Sequence, residues 1–93
     1  MGRARLARIR IEELNRRIDK CEDYKDELID RLQNLKNQLI RREISYSDYD
    51  KFTKEKHSGR TLGEWIEYYD KYASECEKRI AEENKEIIKS RAL

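Results

Sequence analysis

The sequence predicts an all-α fold: a long coiled-coil helix, a short corner helix, and a third helix folded back to complete an antiparallel helical hairpin. Three observations predict it. Apolar residues recur at alternating steps of three and four from residue 4 to 39 and again from 62 to 87, which draws one stripe along a helix. Proline is absent, and two of the three glycines, Gly59 and Gly63, fall near the middle of the chain. Charged residues make up 45% of the 93 residues and apolar ones only 37%, too little for a deep globular core but enough for long helices with a narrow seam. The length suits one domain, residues 1–93.

The first helix is expected over residues 3–43, roughly 60 Å at the usual rise of 1.5 Å per residue. Its seam runs Ala4, Ala7, Ile11, Leu14, Ile18, Cys21, Lys25, Leu28, Leu32, Leu35 and Leu39. In heptad terms Ile11, Ile18, Leu32 and Leu39 are a positions, and Leu14, Leu28 and Leu35 are d positions. Lys25 breaks the seam at an a position. Its aliphatic stem can pack while the ammonium reaches water, or the charge can fix register and oligomer state; the two roles are compatible.

A short helix is expected over 46–57. Ser45 ahead of Tyr46-Ser47-Asp48 has the form of an N-cap with a carboxylate at the third helical position. Tyr46, Tyr49 and Phe52 then give one aromatic face, and Gly59 suits a left-handed C-cap. The third helix is expected over 62–90, opened by the capping box Thr61-Leu62-Gly63-Glu64. Its seam is Leu62, Ile66, Tyr69, Ala73, Cys76, Ile80 and Ile87, with Glu83 in the one vacant step. Folded back, this shorter helix leaves the Arg-rich start of the first helix projecting. That overhang still carries an apolar stripe, so a homo-oligomer is expected.

The stretch Leu32-Gln33-Asn34-Leu35 through Ile44-Ser45-Tyr46-Ser47-Asp48-Tyr49 resembles the SHOCT type of short helical module. In that family a leucine-spaced helix, a break and an Ile-Ser or Ile-Thr step precede a short helix bearing an aromatic. The resemblance covers residues 32–56 and implies a segment used in oligomerisation or tethering of larger proteins. It departs from the family where Arg41-Arg42-Glu43 leads into Ile44, a place where glycine is usual.

Chemistry-bearing constellations are sparse. His57 is the single histidine, which excludes a histidine metal cluster, and no nucleophile motif accompanies it. Asp19, Glu22, Asp23, Asp26, Glu27 and Asp30 place carboxylates four apart, but Lys20, Lys25 and Arg31 are interleaved, as on a solvated, ion-paired face. No metal, cofactor or catalytic residue is therefore expected, and the chain reads as a non-enzyme. Cys21 and Cys76 each lie on a seam, where cysteine is usually small, buried and inert. Aligning residue 42 against 62 sets Cys76 near Leu28, so a disulfide would need a shifted register.

Two features point outward. Arg3, Arg5, Arg8, Arg10, Arg16 and Arg17 make the start strongly basic, although the whole chain is only +2. They suit ordinary solvation, intermolecular ion pairing, or contact with nucleic acid or another anionic surface. Trp65, Tyr69 and Tyr72 share one face of the third helix, with Tyr68 pointing away. They either pack on Tyr46, Tyr49 and Phe52 at the corner or form a docking site. No apolar run reaches the roughly 20 residues that cross a bilayer, and a cytoplasmic location is the expectation. The Glu, Lys and Arg abundance is also common in thermophile proteins.

Overall fold

The computed structural model describes residues 2–92, in three helices: α1 Gly2–Ile40, α2 Tyr46–Lys54 and α3 Leu62–Ala92. α1 and α3 lie against one another as an antiparallel hairpin, and α2 turns the corner between them. The molecule measures 65 × 23 × 15 Å with a radius of gyration of 19.6 Å. A compact chain of this length would have a radius near 12 Å, so the fold is a rod. No described helix is long and apolar enough to cross a membrane.

Each helix boundary has a physical cause. α1 ends at Ile40 rather than at residue 43, because Arg42 turns into the left-handed region at φ 61°. The Arg42 N–H donates to the Leu39 carbonyl at 3.0 Å and the Glu43 N–H to that of Gln38 at 2.9 Å. These two bonds form a Schellman closure, normally built on glycine. Arg42 gave no glycine signal, and the expected helix ran too far. α2 begins where Ser45 Oγ accepts the Asp48 N–H at 3.1 Å. It ends at Lys54 rather than 57, since Glu55 is already extended.

Gly59 is not a helix C-cap. Ser58 (φ 52°) and Gly59 (φ 88°) form the centre of a tight turn. His57 and Arg60 close it with paired backbone bonds of 2.7 and 3.3 Å. Positive φ at both central residues is the type I′ pattern. Thr61 then caps α3 reciprocally: its N–H donates to Glu64 Oε1, and its Oγ1 accepts the Glu64 N–H, both at 3.2 Å.

The hairpin has one register. Arg10 reaches Glu83, Tyr24 stacks on Tyr69, and Lys25 bonds Asp70, so each step up α1 is a step down α3. Among described residues the enclosed side chains are Ala7, Leu14, Cys21, Leu62, Ala73 and Cys76, every one on the expected seams. Four of these six are alanine or cysteine, so the core is thin. Ile11, Ile18, Leu28, Leu32, Leu35, Leu39, Ile66, Tyr69 and Ile80 are half-buried.

This register corrects the expectation of which end of α1 projects. The Arg-rich start of α1 does not project: Arg3, Leu6 and Arg10 border one hollow with Glu82, Glu83 and Glu86 near the end of α3. The far end of α1 is the part that outruns α3. There Asn34, Leu35 and Gln38 border a hollow with Phe52 of α2 and with Leu62. α3 starts at Leu62, as the Thr61 capping box predicts, and α2 packs beside the part of α1 that runs past it.

Candidate interaction surface

The enclosed seam residues, Ala7, Leu14 and Cys21 of α1 and Leu62, Ala73 and Cys76 of α3, line the contact between the two helices. Its two polar interruptions answer each other's helix. Lys25, only 18% exposed in its side chain, places Nζ 3.0 Å from Asp70 Oδ1 and 3.8 Å from Glu22. The bond to Asp70 holds the Lys25 ammonium above its ordinary pKa, against the opposing effect of burial. Glu83, the vacant step of the second seam, is 19% exposed and accepts from Arg10 at 3.1 and 3.3 Å.

The six arginines divide. Arg10 is bound to Glu83, Arg17 to Glu13 at 2.7 Å, and Arg16 lies 3.8 Å from Glu12. The hydrogen bond from Glu13 raises the Arg17 pKa further. Arg3, Arg5 and Arg8 are exposed. In the acidic stretch, Glu22 faces Lys25 and Glu27 lies 3.9 Å from Arg31. Among the described residues no three metal-capable side chains gather.

The aromatic residues assemble differently from either expectation. Tyr46, Tyr49 and Phe52 do not join the α3 cluster; Tyr46 is 72% exposed and pairs loosely with Tyr49, ring centroids 6.4 Å apart. The cluster recruits Tyr24 of α1 instead. Tyr24 stacks on Tyr69 at 5.2 Å, and Tyr69 on Trp65 at 5.8 Å. Tyr68 does not point away: it meets Trp65 edge-on at 5.4 Å and Tyr69 at 5.3 Å, and it lies 6.4 Å from Tyr72. Burial raises the Tyr69 hydroxyl's pKa, since its ring sits inside this stack.

Arg60 completes the cluster, its guanidinium 4.9 Å from the Trp65 ring centre and 4.6 Å from that of Tyr68. Trp65 Nε1 also donates to the His57 carbonyl at 2.6 Å, which pins the turn to α3. The small Ser58 and Gly59 in the turn and a wide indole at the fourth position of α3 make that reach possible.

Cys21 and Cys76 are both buried and both free. Burial, and then the neighbouring Cys76, push the Cys21 thiol up. The observed register sets Cys76 nearer to Cys21 than the alignment of residue 42 with 62 implies.

The surface hollows follow one flank of the hairpin. Passing along α1, they are bordered in turn by Arg31 and Tyr24, by Tyr24 and Arg17, by Arg17 and Arg10, and by Arg10 and Arg3. These residues stand seven apart, each just before a seam residue, so they share a single heptad position. From α3 the groove receives Trp65, Tyr68 and Tyr72 at one end and Arg79, Glu82 and Glu86 at the other. It is aromatic where the hairpin turns and charged where the helix termini meet. Tyr24 carries no signal of its own in the sequence, yet the seven-residue row from Arg3 to Arg31 was there to be read.

The fold and this surface define an antiparallel helical hairpin with a lined groove. Comparison with family models, curated proteins and solved structures gave no match to the chain.

Proposed function

We propose that this chain is a non-enzymatic helical module that acts by protein–protein interaction, and that it self-associates as a cytoplasmic assembly or scaffolding element. One observation carries the reading. The hairpin encloses six mostly small side chains, while Leu6, Ile9, Tyr24, Ile29, Ile40, Tyr46, Phe52, Tyr68 and Ile88 remain exposed. A soluble monomer tolerates scattered apolar residues, but so thin a core gives little stability without further burial. The SHOCT-like character of residues 32–56 belongs to the same reading.

A second reading is kept open by Arg3, Arg5 and Arg8, which are exposed and would suit nucleic acid or another anionic surface. Intrachain pairing of Arg10, Arg16 and Arg17 counts against it. Absolute mass by light scattering, at low and high salt, tests the first reading. A mass above one chain at micromolar concentration that persists in high salt is expected. A salt-sensitive monomer that binds oligonucleotides tightly would overturn it in favour of the second.

A further inference from the structure

We infer that Cys21 and Cys76 are a redox pair, which an anionic low-molecular-weight disulfide converts to an intrachain bond that ties α1 to α3. The register brings them together. The pairs Arg10–Glu83, Tyr24–Tyr69 and Lys25–Asp70 set Cys21 level with residues 72–74 of α3. Cys76 is then only two to four residues further along the chain, roughly 3–6 Å along the helix axis. Both side chains are enclosed, at 5% and 3% exposure, with Ala73 between the helices at 5%. Packed helices lie about 8–10 Å apart, each Cα riding about 2.3 Å off its axis, which leaves roughly 3–5 Å across the seam. The two Cα atoms are therefore roughly 4–8 Å apart, and natural disulfides span about 4.4–6.8 Å. Both residues are thiols in this structure. Burial, and then the charge of a nearby Cys76, hold the Cys21 thiol above its ordinary pKa.

The surroundings give the two sulfurs different parts. Cys21 borders the hollow that it shares with Arg17, Lys20, Tyr24, Tyr68 and Tyr72, so a small reagent can approach it from solvent. Lys20 is exposed there and attracts a reagent that carries carboxylates. The Cys21 thiolate attacks one sulfur of the reagent; the reagent's S–S bond breaks and one thiolate leaves, forming a mixed disulfide at Cys21. The Cys76 thiolate then attacks the Cys21 sulfur, the Cys21–Cys76 bond forms and the second thiolate leaves. The two protons given up by the cysteines pass to the two leaving thiolates. The protein sulfurs are oxidised, and the reagent is reduced to two thiols. Because burial keeps Cys21 protonated, the exchange is slow. Its product closes the chain from residue 21 to residue 76 and clamps a core that small side chains leave thin.

The full wild-type chain, brought to equilibrium in mixtures of oxidised and reduced glutathione and then trapped by alkylation, tests the pair. Intact mass should show the loss of two hydrogens with neither cysteine alkylated, and a non-reducing gel should show single chains. The equilibrium constant for forming the bond should be about thirtyfold or more larger in native buffer than in denaturant, the factor that a typical disulfide contributes to a fold. The fold favours the bond by the same factor by which the bond favours the fold, so the oxidised chain should also melt higher than the reduced one. Cys76→Ala should stop at the glutathione adduct on Cys21. Equal constants in native buffer and in denaturant would show that the fold does not bring the thiols together and would overturn the inference. So would a wild-type chain that keeps glutathione on Cys21 while Cys76 still alkylates, or a bond found only between chains.

Discussion

Leu14 is the most telling residue to remove. It is the one large side chain of α1 that is enclosed, at 7% exposure, and it lies between Ala7 and Cys21 on the same heptad position. Truncation to alanine forfeits roughly 1.5–3 kcal/mol of apolar burial, and buried leucine-to-alanine changes as a class cost about 2–5 kcal/mol. A two-helix core is open on both flanks and relaxes easily, so Leu14→Ala should fall near the lower end, about 2–3 kcal/mol. For a domain of this size each kcal/mol lowers Tm by roughly 4–8 °C, so the melting point should drop by about 10–20 °C. Thermal melts by far-UV circular dichroism, run at one protein concentration to hold any association constant, read this directly. Asn15→Ala, one residue away and exposed, should stay within about 0.5 kcal/mol of wild type. If Leu14→Ala melts within about 3 °C of wild type, the seam is not the core.

Arg42→Gly should stabilise the chain by about 0.5–1 kcal/mol, because glycine carries the φ of 61° without the Cβ conflict; denaturant unfolding that shows a loss would mean the arginine side chain matters more than its backbone. Gly59→Val should destabilise by roughly 1–3 kcal/mol through its φ of 88° alone, since a Cβ there meets open space. Thr61→Ala removes the α3 cap and should cost about 1 kcal/mol. The Glu64 partner, its pKa lowered chiefly by the Thr61 N–H, contributes above the ordinary glutamate value of about 4.3 and loses that contribution as pH falls through the lower folded value. Lys25 behaves in the opposite sense: its raised pKa gives stability that is present below about 10.4 and lost as pH rises through the folded value. Melts of Lys25→Met should show a smaller alkaline decline, the remainder coming from the raised Cys21 and Tyr69 groups, and an identical decline would sink the assignment.

The periodicity of three and four made both long helices legible, because a helix surface repeats at that spacing whatever the neighbour is. The Thr61–Glu64 box and the Ser45 cap were equally legible, each being a local exchange of hydrogen bonds encoded within four residues. Register was not. It depends on which charges meet, and Arg10–Glu83 and Lys25–Asp70 lie 73 and 45 residues apart in the chain. The end of α1 was misread because its left-handed residue is Arg42, without the usual glycine. The aromatic cluster was half-read for a similar reason: Trp65, Tyr69 and Tyr72 announce themselves at helical spacing, whereas Tyr24 sits among the charges of α1. Its place in the row Arg3, Arg10, Arg17, Tyr24, Arg31 has meaning only once the groove is seen.

The two polar interruptions explain why the seams close within one chain. Were α1 to pair in parallel with another α1, Lys25 would oppose Lys25, and α3 paired likewise would oppose Glu83 with Glu83. Each such layer puts like charges in the least solvated part of the contact. Folding α3 back on α1 replaces both repulsions with attractions, Lys25 to Asp70 at 3.0 Å and Glu83 to Arg10 at 3.1 Å. With Asp70 and Arg10 largely exposed, neither pair adds much stability. Their weight lies in the alternative they penalise, for a seam without them would pair with its own copy as readily as with its neighbour in the chain. The apolar stripe that first suggests an oligomer is thereby consumed inside the hairpin.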